Sequence, residues 1–372
     1  MSQPFVPAAI ARVFPWKLVA LLIAIVGFGT LVLYSAAGGS FSPWAGTHAV
    51  RFGIFLVMAF IVSFVPENWW RVLALPGYGI ILIALLGVEL LGFVGGGSQR
   101  WLDLGFMRLQ PSEFMKPAVV IVLAHFYAML PPGHIKTWQA LWPTLVLAGA
   151  PFVLVMLQPD LGTAIAITVG AVTVAFLAGL PLRLFIGAGI AGLAALPIIF
   201  SMLHDYQQNR VLIFLNPEND PLGTGYHITQ SKIAIGSGGI FGKGFLNGTQ
   251  SHLEYLPEGH TDFVFATMAE EWGLLGGLLL IGALMLLLRW GWRVAQGAEG
   301  RFGRLAAGGL TMTIFFYICI NLMMVMGLAP VVGIPLPFVS HGGSSMLTVM
   351  LCIGVIMGID RQSRRHSSAR LR

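Results

Sequence analysis

Long apolar runs separated by short polar breaks make up most of the chain. Ten can be read, at about 16–38, 47–65, 71–93, 111–130, 139–158, 160–179, 182–203, 263–288, 305–327 and 343–360. Each is near the ~20 residues that let a helix cross a bilayer. Inside lipid a lone segment can satisfy its backbone only as a helix. The pattern predicts an all-α integral membrane protein of ten transmembrane helices, forming a single membrane domain over 1–372. The breaks at 158–160 and 179–183 read as tight turns. One long interruption, 204–262, reads as a large outer loop between spans seven and eight, and loops of that length are often functional. A short 1–15 segment precedes the first span, and a basic 361–372 tail follows the last. The first run, after Arg12 and Lys17, has the look of a secretory signal. Its length and the many spans behind it favour an uncleaved first helix.

Composition narrows the class. The chain is 56% hydrophobic and 10% charged, with mean hydropathy +0.82, which excludes a soluble domain of this size. Its net charge of +6 is a topology signal and gives no reason to invoke nucleic acid. With the N-terminus in the cytoplasm, fourteen Lys and Arg fall inside and six outside, with Lys116 in the membrane. That bias places both termini in the cytoplasm and 204–262 outside. Asp160, Glu258 and Asp262 are among the acids that then lie on the outer face. Chemistry on that face has no ATP, so its substrate must arrive activated. Cys319 and Cys352 sit in apolar runs and read as buried thiols.

Several motifs carry candidate chemistry. In 95–116, GGGSQRWLDLGFMRLQPSEFMK, Pro111 is placed to open span four, with Glu113 in its first turn. Glu113 and Lys116 are three apart and share a helix face. An acid and a base at membrane depth mark a functional site or a snorkelling anchor. Arg100, beside Trp101, is either an interface anchor or a phosphate ligand. Glu89, inside span three, is costly unless it faces the protein interior. Asp160 in QPDLGT is a helix N-cap or a catalytic group. Lys232 and Lys243 flank a glycine-rich stretch that suits an anion, although the P-loop spacing is absent. Asp262 stands where the polar segment meets an apolar run. It is a general base or an N-cap, and a helix starting there would align it with Ala266 and Glu270. The segment GLAPVVGIPLPFVSHGGSS, 327–345, is too rich in Pro and Gly for a plain helix. It reads as a re-entrant or ordered outer loop near the site, with Ser344 a candidate substrate contact.

RWLDLG and QPSEFMK in 100–116, QPDLGT at 158–163, QSKIAIGSGGIFGKG at 230–244, LPEGHTDFVFA at 256–266 and GIPLPFVSHGGSS at 333–345 together resemble the SEDS family (shape, elongation, division and sporulation). The resemblance covers essentially the whole chain and favours the elongation branch over the division branch. His341 stands where the family often has an aromatic residue, and Ser98-Gln99 replaces a more usual Gly-Ala. The resemblance implies a peptidoglycan glycosyltransferase of the bacterial cytoplasmic (inner) membrane that polymerises lipid II at the outer face. Asp262 would be the general base. Arg100, Glu113, Lys116, Asp160, Lys232, Lys243 and Ser344 would bind substrate. A class B penicillin-binding protein and other elongation-complex proteins would be partners. No cofactor is certain, and a divalent cation, Mg or Mn, is left open. The rival readings are a lipid II flippase, which needs a polar path between faces, and a scaffold without chemistry of its own.

Overall fold

A computed structural model of the protein describes residues 14–91, 93–95, 98–103, 108–203, 205–217, 220, 223–253, 255–256 and 258–370. The first half comprises α1 (Trp16–Ala36), α2 (Ala45–Ser63), α3 (Glu67–Leu91), α4 (Pro111–Met129), α5 (Trp138–Leu157), α6 (Leu161–Ala178) and α7 (Leu182–Met202). Between α3 and α4 lie three short antiparallel strands in the order β1 (Phe93–Gly95), β2 (Ser98–Asp103), β3 (Arg108–Leu109). The second half adds α8 (Asp205–Leu215), α9 (Thr224–Gly238), α10 (Thr249–His252), α11 (Val264–Gly297), α12 (Arg301–Val325) and α13 (Gly343–Arg370). The side chains of Glu89, Ser98 and Gln99 lie outside the described residues.

Each expected span has a helix at its place. Among the described residues, nine helices are long and apolar enough to cross a membrane, so the protein is a multi-pass membrane protein. α4 is the expected span outside those nine. Glu113, Lys116 and His125 lower its hydropathy, while thirteen of its residues are buried in the protein. The expected 204–262 loop contains three helices, α8, α9 and α10. In α9, Ile228, Ser231 and Ala234 recur at helical spacing and are buried, so a polar, glycine-rich segment folds by packing. Beyond the last span, α13 continues as helix to Arg370.

α4, α6 and α12 form the interior, where missing side chains set the spacing. A Cβ on Gly309 of α12 would lie 2.6 Å from both Val120 of α4 and Val174 of α6. Small residues of this kind let membrane helices approach closely. At one end of the bundle Arg301 donates to Leu130 O at 2.8 Å and to Ala178 O at 3.4 Å, satisfying carbonyls at the C-termini of α4 and α6. α7 differs from its neighbours in having no buried residue.

α11 is not one continuous helix. Gly273, at φ 63 and ψ −163, breaks it after Glu270 and Glu271. Segment 239–244 enters the break and takes up its backbone groups. Leu274 and Leu275 donate to Gly239 O and Ile240 O at 2.9 and 3.2 Å. Lys243 and Gly244 donate to Glu270 O and Glu271 O at 3.0 Å each. A helix can be interrupted at membrane depth when protein re-satisfies the freed groups in this way.

Candidate functional site

The N-terminal ends of α4, α6 and α13 and the C-terminal end of α12 converge on the Pro- and Gly-rich strap 327–342, which is non-helical. They enclose a cavity of about 390 Å³ lined by Arg100, Glu113, Asp160, Tyr317, His341 and Ser344, among others. Four of the expected site residues, Arg100, Glu113, Asp160 and Ser344, therefore share one space.

Their local chemistry follows from the elements that carry them. Pro111 is the first residue of α4, so Glu113 falls in its first turn and Lys116 on the next. Lys116 Nζ lies 2.6 Å from Glu113 Oε1 and 2.7 Å from the Tyr317 hydroxyl, which itself donates to Glu113 Oε2. Lys116 is 1% exposed, so it acts on the cavity through Glu113 and Tyr317. Asp160 caps α6, its Oδ1 accepting from Thr163 N at 3.1 Å. The capping reading thus holds, and the same carboxylate also faces the cavity. Arg100 donates to Gln158 O at 3.1 Å and to Pro159 O, with Nη1 3.9 Å from Asp160 Oδ2.

Asp262 does not cap α11. The N-cap position is Phe263, and no side chain caps that end. The Asp262 carboxylate instead lies against the strap. A Cβ on Gly333, a cavity-lining residue, would sit 3.5 Å from Asp262 Oδ2. Burial, then the charge of Glu258, pushes the Asp262 carboxyl up to about 6, against a pull downward from Arg210. Arg210, on α8, donates to Val331 O in the strap at 2.9 Å.

Lys232 and Lys243 are not brought together. The Lys232 stem packs where a Cβ on Gly327 would stand, 2.2 Å from its Cε. Lys243 Nζ sits 2.7 Å from Glu270 Oε1, which also accepts from the Thr249 and Gln250 backbone N–H groups. Lys243 thus supports the broken helix, and neither lysine lines the cavity.

A second cavity, of about 640 Å³, has His260 in its wall. Its wall includes Trp44, whose ring stacks on His260 at 4.0 Å, together with Ser251, His252 and Glu258. His341 N donates to His260 O at 2.9 Å, and Arg51 Nη1 stands 3.2 Å from His341 Nε2. Burial, then the neighbouring Arg51 and His260, lowers the His341 pKa, so its neutral ring accepts from Arg51. Asp262 lies two residues beyond His260, beside the first cavity at Gly333.

Tyr317, Asn321, Arg51 and Arg210 belong to this site and were not singled out from sequence. Tyr317 and Asn321 were signalled by polarity inside an apolar span. Arg51 was only one outer cation among six, and Arg210 lay in a segment read as loop. Among the described residues no group of three or more His, Cys, Asp and Glu is arranged to hold a metal ion.

A family model, FTSW_RODA_SPOVE, described as cell cycle protein, matches residues 15–365. The chain belongs to this family. It is 46% identical over 356 residues to Peptidoglycan glycosyltransferase MrdB of Escherichia coli (strain K12), covering 94% of each chain. Over 360 residues it is 34% identical to Stage V sporulation protein E of Bacillus subtilis (strain 168), covering 93% of this chain and 97% of that one. Two solved members share the fold. One is the crystal structure of Thermus thermophilus rod shape determining protein RodA, 30% identical with TM-score 0.71, covering 94% of this chain and 97% of that one. The other comes from work on structural coordination of polymerization and crosslinking by a peptidoglycan synthase complex. It is 32% identical with TM-score 0.82, covering 94% of this chain and 98% of that one. The FtsW/RodA/SpoVE family thus spans the whole bundle and the cavity built within it.

Proposed function

We propose that this chain is a peptidoglycan glycosyltransferase that polymerises lipid II at the outer face of the bacterial cytoplasmic membrane, with Asp262 as general base. One observation carries the role of Asp262. Its half-buried carboxylate lies against Gly333, in the wall of a cavity that Arg100 and Glu113, the partner of Lys116, also line. The name of a family member 46% identical to this chain supports the activity itself.

Lipid II carries an α-linked sugar on undecaprenyl pyrophosphate, and the product is β-1,4-linked, so one inverting attack suffices. Asp262 takes the proton of the acceptor GlcNAc 4-hydroxyl as that oxygen attacks C1 of the donor MurNAc. General-base assistance of this kind is worth roughly 10²–10⁴-fold. The pyrophosphate leaves with the electron pair of the broken bond and needs no general acid. Fixed cations stabilise the charge that develops on it, Arg100 directly and Lys116 through the Glu113 and Tyr317 network. Asp160 and Ser344 complete the polar lining. A Mg or Mn ion, if one binds, would be held by Glu113 or Asp160 and would supply further positive charge for the leaving pyrophosphate.

The likeness to a chain from a complex that couples polymerisation to crosslinking supports a class B penicillin-binding protein as partner. Glycan polymerisation from purified lipid II tests the proposal. Wild type and Asp262→Asn would each be assayed with and without the transpeptidase-blocked partner. Polymer from wild type alone is the expected result. No polymer from either protein, together with transport of lipid II across vesicle membranes, would replace this reading with the transporter.

A further inference from the structure

Asn321 is 0% exposed near the C-terminal end of α12, and its carboxamide is fully committed on one side. Nδ2 donates to Asp262 O at 2.9 Å and to Ile334 O at 2.8 Å. Oδ1 has no partner among the described residues. The amide orientation follows from this arrangement, because exchanging N and O would set an acceptor against two carbonyls. A buried acceptor left without a partner is unfavourable, and a leucine, bulkier but branched at the same atom, would avoid it. Packing alone therefore does not account for an asparagine here. The two carbonyls it joins do, since one belongs to Asp262 and the other follows Gly333, the glycine against which the Asp262 carboxylate lies.

We infer that Asn321 is a positioning residue. It clamps the Asp262 backbone to the strap at Ile334 and so fixes how far the carboxylate reaches towards the cavity. This inference rests on the reading of Asp262 as the base. Asn321 stands four residues after Tyr317, on the same face of α12. Tyr317 holds Glu113 and Lys116, and Asn321 holds Asp262, so one rigid helix sets the distance between the ion pair and the base. The strap has other anchors of its own. Arg210 donates to Val331 O, and Leu336 N donates to Ser340 Oγ at 2.8 Å. Loss of the Asn321 clamp therefore displaces Asp262 without unfolding the strap. A misplacement of about 1 Å at a reacting group can cost on the order of 100-fold in rate.

The test uses the full chain in lipid vesicles, as wild type, Asn321→Leu and Asn321→Gln. Hydrogen exchange is followed in peptides covering 258–263 and 331–336, alongside peptides of α12 itself. Asn321→Leu should speed exchange in the first two and leave α12 unchanged. Polymerisation of lipid II by Asn321→Leu should lose on the order of 10- to 100-fold in kcat, with KM within about threefold of wild type. Its pH–rate midpoint should move to lower pH as the freed carboxylate gains water. Asn321→Gln keeps both donors but displaces them by one methylene, and should fall between the two. Wild-type kcat and unchanged exchange in Asn321→Leu would overturn the clamp. So would a loss spread over KM and over exchange along the whole of α12, which marks a packing role. If wild type itself makes no polymer, the transferase reading fails, and the exchange comparison alone decides for or against the clamp.

Discussion

Lys116 Nζ and Glu113 Oε1 are 2.6 Å apart, and the lysine side chain is 1% exposed, so the pair is an internal unit of the bundle rather than an interfacial anchor. Breaking a buried pair from one side strands a charge and typically costs about 3–5 kcal/mol. Lys116→Met and Glu113→Gln should each lower thermal stability strongly. The double variant should recover most of the loss, because no lone charge remains. Differential scanning of the four proteins in one detergent gives the cycle, and additive losses would show that the two groups act independently. Lys116→Met should also weaken lipid II binding, and unchanged affinity would remove it from the donor site.

The raised Asp262 carboxyl gives a pH dependence of definite sign. A base works only when deprotonated, so polymerisation should rise with pH up to about 6 and level off above it. Below that midpoint the rate should fall about tenfold per pH unit. Stability runs the other way. The folded protein holds this proton more tightly than the unfolded chain, so the contribution of Asp262 to stability declines as pH rises from near 3.8 to about 6. Asp262→Asn should therefore be inactive yet at least as heat-stable as wild type at pH 7.5, losing that advantage at pH 4. Thermal scans at the two pH values check this. A variant less stable at pH 7.5 would contradict the desolvated carboxylate.

Two glycines of α11 should respond oppositely to alanine. Gly273 has φ 63, and an added Cβ would lie 2.3 Å from Gly242 N. That backbone region is nearly closed to other residues and costs on the order of 1–3 kcal/mol before any clash. Gly273→Ala should give a poorly folded protein of low yield. Gly282 has nothing within 4 Å of its Cβ position. Gly282→Ala should fold normally and gain up to about 1 kcal/mol. Size-exclusion profiles and thermal scans of the pair separate the break from general glycine effects.

The cation candidates should separate by phenotype. Arg100 lines the cavity, whereas Lys243 neutralises Glu270 beside the helix break. Arg100→Gln should raise KM for lipid II with a modest change in thermal stability. Lys243→Gln should lower stability and leave KM near wild type. The reverse pattern would place donor binding at the Lys243 cluster.

All ten apolar runs became long helices because a continuous apolar stretch leaves the backbone one solution in lipid. The Glu113–Lys116 contact was equally readable, since three-residue spacing on a helix fixes neighbours. The break at Gly273 was hidden. Leu274 and Leu275 continue the apolar run, and what stabilises the interruption is segment 239–244, some thirty residues earlier in the chain. The lysines illustrate a second limit. Lys232 and Lys243 flank one glycine-rich segment in sequence, yet a buried glutamate beyond the loop holds Lys243. Asp262 could be placed at the polar–apolar boundary, but its separation from the helix cap depends on Gly333 and Asn321, both far along the chain.

The absence of any buried residue in α7 sets it apart from the other long helices. Bilayer thickness is then the main demand on its sequence, and the helix works as a leash that carries the chain from one side of the membrane to the other. An unrelated hydrophobic segment of equal length should serve there, and drift at these positions should be fast. The region just after it, where Arg210 meets the strap, has no such freedom.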